Sequence, residues 1–554
     1  MSIKSNPARL PELDPAVLDE VRVAHRQGRL GYLVGAGTSL AIGLPSWSEF
    51  NHALLHGSLP YHPELRADGG VSETELTQLA RIYADQIQGQ SLAAVDFARL
   101  MAGDEFHKVL RRALYERPQL QVYGPTEVHC ALASLAVRSA PPFPCIHTTN
   151  YDDLLERALA RVAARDVVPV HAGRRRSADG PRVVHLHGYF PFSPADGEEE
   201  RDLARTLVAS ESDYHGLSND HVAWTNRELL SLLETRSTLI IGTSLTDPNL
   251  RRLLSQVSQH RPRNPGGETH YVVMQSRDVD AVVEQVLARA AALFPHVGER
   301  PRRAVRPLAE RACRILEGNE REFWARQGVK IIHVDRYDRL NYLLRRIRFA
   351  DDEWDREHKR LRGAWARSRY GSVDFDAPDL QNVVTEVLAE ARDRLGRGPL
   401  PLKLGGRLEL SVFLPEADGR YRRAFSSVKG RATVAPRRFD AHHDSMTIPE
   451  VERVLILGEP VTSPTVDTRR SLPGEPNFEQ WYRSIEGVPF FDDIGGGIPV
   501  GVIQLCCEKR GGAAAVLDVD GMMRLRGYLI GVMQSVLHTV ERLRDVAKVD
   551  SHRA

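Results

Sequence analysis

Between about Ala16 and Val334, short apolar segments such as Leu30–Val34, Arg182–Leu186, Leu239–Ile241 and Tyr271–Met274 alternate with longer amphipathic stretches of helical spacing. A strand covered on both faces reads as a continuous apolar run, and parallel neighbours need crossovers long enough to hold a helix. The alternation therefore predicts a doubly wound, Rossmann-like parallel α/β sheet. At 554 residues the chain exceeds what one core organises. The segment Asp351–Tyr370, dense in charge and sparse in apolar residues, suits an exposed helix better than a core element. The expected division is residues 1–350 as one domain, 351–374 as a charged helical connector, and 375–554 as a separate α/β domain. That second domain is expected to hold a helix near Leu380–Leu395, strands at Leu408–Leu414, Val454–Leu457 and Val500–Cys506, and a closing helix from Met522 to Leu543.

Charge excludes some partners. The 74 basic residues nearly cancel the 73 acidic ones, so no global field draws the chain to nucleic acid or an anionic membrane. Basic clusters at Arg302–Arg311 and Lys359–Arg369 lack interleaved aromatics and read as solvated helix faces, so a nucleic-acid partner is not expected. No apolar run approaches the ~20 residues of a membrane helix, and the N-terminus has no apolar core of a signal peptide. A cytoplasmic protein without a membrane partner is expected. The five cysteines include no C-x-x-C pair, which leaves neither a disulfide framework nor a four-cysteine zinc site and makes core residues of them.

The chemistry sits at strand ends. The strand Leu30–Val34 runs into Gly35-Ala36-Gly37-Thr38-Ser39. Glycines there let backbone N–H groups approach a pyrophosphate, and the hydroxyls of Thr38 and Ser39 add donors, although the loop does not complete G-x-G-x-x-G. A second strand, Pro144–Thr148, ends in Thr149-Asn150-Tyr151-Asp152, a third in His185-Leu186-His187-Gly188, and a fourth in Gly242-Thr243-Ser244. Carboxyl ends of strands line the ligand crevice of an open α/β sheet, so four polar tips are expected to converge. Asn150 and Asp152 also precede the helical stretch Asp153–Ala163 and are candidate caps for it. His129, His147 and His185 read as core histidines.

The ordered set GAGTS, GLPSW, TNYD, HG and GTS, with VASESDY at Val208–Tyr214, resembles the sirtuin fold over roughly residues 16–340. It is most similar to the zinc-free bacterial branch whose members hydrolyse NAD in defence against phage. The resemblance implies that NAD is the substrate and that Gly35, Ala36, Gly37, Thr38 and Ser39 bind its phosphates. It implies that Asn150 contacts the nicotinamide ribose and positions water, that Asp152 holds the carboxamide, and that His187 is the general base. Gly242, Thr243 and Ser244 would lie against the adenosine side. The cysteine zinc ribbon of protein-deacylating sirtuins is missing, so no zinc or other metal is expected and water is favoured as acceptor. Deacylation of acyl-lysine, or binding of NAD or ADP-ribose without reaction, stand as alternatives.

Residues 375–545 resemble a GAF-type small-molecule sensor in pattern: an opening helix, strands at GRLELSVFL and IPVGVIQLCCEK, then a closing helix. The resemblance implies an unidentified trigger ligand or protein and a homo-oligomer, and a plain oligomerisation domain fits the same pattern.

Overall fold

The structure is a computed structural model that describes residues 14–553 apart from 68–71, 87–91, 118–119, 121–122, 140–144, 164, 172–179, 196, 261–268, 294–300, 335–338, 350, 372, 398–406, 429–449, 459, 464–483, 492–497 and 509–518. Two compact units emerge, Leu13–Tyr337 and Asp338–Ala554.

The first unit is built on seven strands: β1 Leu30–Val34, β2 Cys145–Thr148, β3 Val168–His171, β4 Arg182–His185, β5 Ser237–Ile241, β6 His270–Gln275 and β7 Val329–Val334. Their order is β3-β4-β2-β1-β5-β6-β7, and every neighbouring pair is parallel. The chain thus runs outward from β1 in both directions, which makes the gap beside β1 the topological switch point where such sheets take ligands. Adjacent residues of a strand point to opposite faces, and both faces of β1 are covered. Tyr32 meets His25 of the helix Pro15–Arg26, while Leu33 joins Ile240, Leu232 and Leu253 in a core shared with the helices Trp224–Thr235 and Pro248–His260. The expected strands β1, β4, β5 and β6 are present within a residue or two of their predicted bounds. Pro144, the expected start of the second strand, lies outside the described residues.

Between β1 and β2 the chain inserts a helical lobe that includes Trp47–Ser58, Ala93–Ala102 and Phe106–Tyr115. Phe50, Leu54, Val95 and Val109 build its core together with Leu154 and Phe190, which follow β2 and β4. This packing holds the lobe against the two loops that carry TNYD and HG.

The second unit holds a five-stranded antiparallel sheet, β8 Leu408–Pro415, β9 Tyr421–Ser426, β10 Val461–Ser463, β11 Ser484–Phe491 and β12 Pro499–Cys507, in the order β10-β11-β12-β8-β9. The helices Pro378–Arg397 and Val519–Arg553 close over it, with Val384, Leu388, Leu525, Leu529 and Val536 in one core with Leu410 and Leu505. Two expectations differ here. Val454–Leu457 belongs to a helix, Glu450–Leu457, because a short apolar run is ambiguous between strand and buried helix. Gly458 at φ +68° ends it in a left-handed turn, and the Arg345 guanidinium donates to the Ile456 carbonyl. The charged helix Asp351–Tyr370 also packs here through Trp365, Ala366 and Tyr370 near its C-terminal end, which enter the core.

Candidate functional site

The tips of β1 and β5 touch through glycines. Gly35 N–H donates to Ile241 O at 2.7 Å and Gly37 N–H to Gly242 O at 2.8 Å. A Cβ on Gly35 would lie 2.6 Å from the Gly242 carbonyl oxygen, and one on Gly242, at φ +74°, 2.5 Å from the Gly35 oxygen. The N–H groups of Thr38 and Ser39 also bond within the turn, and the Thr38 hydroxyl donates to Gly35 O at 3.0 Å. Most of the loop's donors are therefore committed internally. The geometry gives these glycines a packing role: they bring two strand tips together, leaving Ala36 exposed and Gly37 half-buried at the switch point.

Beside this turn four side chains form an ordered hydrogen-bond chain. His129 Nδ1 accepts the Thr126 N–H at 3.1 Å, so in the neutral ring Nε2 carries the proton and faces Ser39 Oγ at 3.4 Å. Ser39 Oγ donates its one proton to Asp152 Oδ2 at 3.0 Å and receives Asn150 Nδ2 at 3.2 Å. Because the hydroxyl proton is spent on a carboxylate, the Asn150 atom facing Ser39 must be the amide nitrogen. Asn150 Oδ1 is then the remaining atom, and it is buried with no hydrogen-bond partner among the described residues. Burial holds His129 neutral, with a pKa near 3. Burial also raises the Asp152 pKa to about 6, against the lowering effect of the Leu154 N–H and the Ser39 hydroxyl. Asp152 Oδ1 accepts that Leu154 N–H at 3.2 Å at the start of the helix Leu154–Ala163, so it caps this helix as well as bonding Ser39.

His187 belongs to a second group. Its Nε2 lies 3.5 Å from Asp247 Oδ2, the same oxygen that accepts the Tyr214 hydroxyl at 2.5 Å, and the His187 and Tyr214 rings meet edge to face. Burial lowers the His187 pKa, and the carboxylates of Asp247 and Asp213 only partly oppose it. The VASESDY segment is fixed in three ways. Val208 N–H donates to His187 O, Ser210 and Asp213 form a capping box, and Arg99 pairs with Asp213 at 2.8 Å. The two groups are joined through Tyr151, whose hydroxyl donates to Val208 O at 2.9 Å. Thr243 and Ser244 stand apart from both: Thr243 Oγ1 accepts the Leu245 N–H and Ser244, exposed, bonds Thr246.

Sequence reasoning missed Asp247, noted Tyr214 only as the end of VASESDY, and read His129 and His185 as core histidines, which both are by burial. Asp247 offered a signal, since an aspartate directly before Pro248 at a helix start is a capping pattern, and its Oδ1 does accept the Leu250 N–H at 2.6 Å. His147 stays a buried histidine on β2 with its pKa lowered to about 4 by burial. His185 is different: its Nδ1 is 2.9 Å from Asn150 O and its Nε2 2.5 Å from Glu156 Oε1. Among the described residues no group of three or more histidine, cysteine or acidic side chains is placed to hold a metal ion, and no helix is long and apolar enough to cross a membrane.

Residues 144–331 match the SIR2-like domain family. The chain is 24% identical over 331 residues to NAD(+) hydrolase ThsA of Enterococcus faecium, covering 59% of this chain and 56% of the relative. It is 24% identical over 262 residues to the protein of that name from Acinetobacter baumannii, covering 47% and 45%. The corresponding protein of Bacillus cereus is 23% identical over 252 residues, covering 44% and 42%. The chain thus matches about half the length of these curated relatives.

Proposed function

We propose, from the premise of a SIR2-like domain at residues 144–331, that the chain hydrolyses NAD at the bond between nicotinamide and ribose. The observation that carries this is the buried, unpartnered Oδ1 of Asn150 at the switch point. Breaking that bond builds positive charge on the ribose, and water must attack with its lone pair while its hydrogens are held elsewhere. An unpartnered acceptor of fixed polarity suits that water or a ribose hydroxyl, and a donor in its place would not. In this reading Gly35, Ala36 and Gly37 shape the cradle for the phosphates, with Thr38 and Ser39 behind them. Asp152 takes the carboxamide, and Gly242, Thr243 and Ser244 face the adenosine side.

His187 is the proposed base. A base must be neutral before it acts, which burial ensures by lowering its pKa. The nearby Asp247 carboxylate then stabilises the imidazolium formed when it accepts the proton. The second unit is assigned the role of a sensor that restrains the enzyme, because unrestrained hydrolysis would empty a cell of NAD. Such an effector fits the role in antiphage defence implied by the sirtuin resemblance.

Incubating the purified full chain with NAD and following nicotinamide tests this directly. Nicotinamide and ADP-ribose are expected without any acylated peptide, and His187→Ala is expected to lower turnover by about 10²–10⁴-fold. Release that requires an acyl-lysine peptide supports the deacylase reading instead, and full activity in a folded His187→Ala variant removes the mechanism.

A further inference from the structure

We propose that His185 and Glu156 form a buried ion pair whose task is to position Asn150 through its backbone. The inference rests on the reading of Asn150 as a residue of the NAD site. His185 ends β4 and is fully buried, and Glu156 lies in the first turn of the helix Leu154–Ala163, itself buried. The ring is held between two acceptors: the Asn150 carbonyl at 2.9 Å from Nδ1 and a Glu156 oxygen at 2.5 Å from Nε2. A carbonyl oxygen can only accept, so Nδ1 must carry a proton, and an ionised Glu156 likewise needs a proton on Nε2. Both requirements are met together by the imidazolium.

The other groups around the ring agree. Tyr189 packs against it with ring centroids 4.7 Å apart, and Asp152 adds negative potential nearby. Burial alone would lower the pKa of His185, yet Glu156 and the Asn150 carbonyl hold it above the usual value.

A buried ion pair is a costly way to fill a core, since well-packed apolar residues of similar volume are often as stable or more so. What the pair supplies is a charge-assisted donor aimed at one carbonyl. Asn150 is thereby fixed at both ends: Ser39 takes its side-chain nitrogen, and His185 takes its backbone oxygen. With the Asn150 N–H also held by Thr148 Oγ1 at 3.0 Å, these bonds together aim its Oδ1, which has no partner among the described residues. His185 touches no reacting atom and acts through Asn150, so it is a positioning residue.

The test uses the full chain. In His185→Leu, kcat for nicotinamide release is expected to fall about 10–100-fold with KM for NAD within about threefold, because misaim of one group can cost that much. His185→Asn places an amide N–H near the position of Nδ1 and is expected to recover to within several-fold of the parent, which a purely structural role would not produce. A folded His185→Leu with parental kcat overturns the proposal, as does His185→Asn no better than leucine. Histidine-labelled ¹⁵N spectra give a readout independent of turnover. The ring missing from the His185→Asn spectrum must carry two protons in the parent at about pH 8, and the Glu156→Gln variant must lose one. If the parent releases no nicotinamide, the functional reading fails by itself, and a singly protonated His185 ring overturns the positioning claim whatever the activity.

Discussion

Asp152 shows at the scale of one residue how a site costs stability. Its pKa in the fold is about 6, against 3.8 for the free group, so the native state binds its proton more tightly than the unfolded chain does. Below the unfolded value both states are protonated and no penalty exists. The penalty grows as pH rises from there and is complete above the folded value. At ~1.4 kcal/mol for each tenfold change in proton affinity, the ionised carboxylate costs the fold about 3 kcal/mol at neutral pH. Asp152→Asn removes that charge but leaves one of its two donors, the Ser39 hydroxyl or the Leu154 N–H, facing an amide nitrogen, which offsets part of the gain. The variant is expected to be more stable than the parent by roughly 1–2 kcal/mol at about pH 8, with the difference shrinking towards about pH 5, as thermal denaturation at several pH values will show. Activity should fall at the same time. In the parent, the acid limb of kcat/KM is expected near pH 6 as Asp152 protonates, since the His187 pKa lies below its ordinary value. A variant that loses stability at about pH 8 would contradict this reading of the buried charge.

At the scale of elements, the contact between β1 and β5 decides whether the crevice exists. A Cβ on Gly242 would sit 2.5 Å from Gly35 O and 2.9 Å from Thr38 N, both backbone atoms that cannot step aside cheaply, and its φ of +74° disfavours any other residue. Gly242→Ala is expected to destabilise by about 1–3 kcal/mol and to weaken NAD binding at least tenfold by parting the strand tips. Gly216, inside the helix Glu211–Asn219 where a Cβ meets nothing within 4 Å, supplies the control: alanine there should leave NAD binding unchanged and raise stability by about 0.5–1 kcal/mol. Calorimetric titration and melting curves on both variants check this, and a Gly242→Ala protein that melts with the parent would refute it. The same contact explains what could be read from the sequence. Strand tips were legible where apolar runs end abruptly at a glycine, as at Val34-Gly35 and Ile241-Gly242. The partners that order the tips were not, because His129 meets Ser39, and His185, held by Glu156, meets Asn150 only once β2, β4 and two helices pack side by side. Glu450–Leu457 failed for a different reason: its EVERVLIL carries apolar residues compatible with either period, and only Gly458 marks the helix stop.

For the whole molecule, the place where the chain divides bears on how the two parts work. The helix Leu340–Arg348 lies beyond the division, with Leu340, Leu343, Leu344 and Ile347 all buried, and Arg345 bonds the Ile456 carbonyl and approaches His358 within the second unit. Sequence charge placed the boundary after this helix because the next segment, Asp351–Tyr370, is the most polar stretch nearby, yet the apolar stripe of Leu340–Arg348 has its partners further along the chain. A fragment of residues 1–350 would therefore carry an apolar helix stripped of its cover, a patch that favours association, whereas one ending at residue 337 would not. Every group assigned to the NAD site, from Gly35 to Asp247, lies within the shorter fragment. With His187→Ala to block turnover, residues 1–337 are expected to stay monodisperse and to bind NAD with an affinity close to that of the full chain carrying the same substitution. Residues 1–350 are expected to aggregate more readily. Removal of the second unit should instead change basal turnover or response to a trigger in the otherwise unaltered enzyme, because a separate folded unit alters catalysis only by favouring one state of its neighbour. Light scattering and calorimetry on the two fragments decide the matter. A folded 1–337 fragment that binds no NAD would mean that the second unit supplies part of the site, and the regulatory role proposed for it would have to be abandoned.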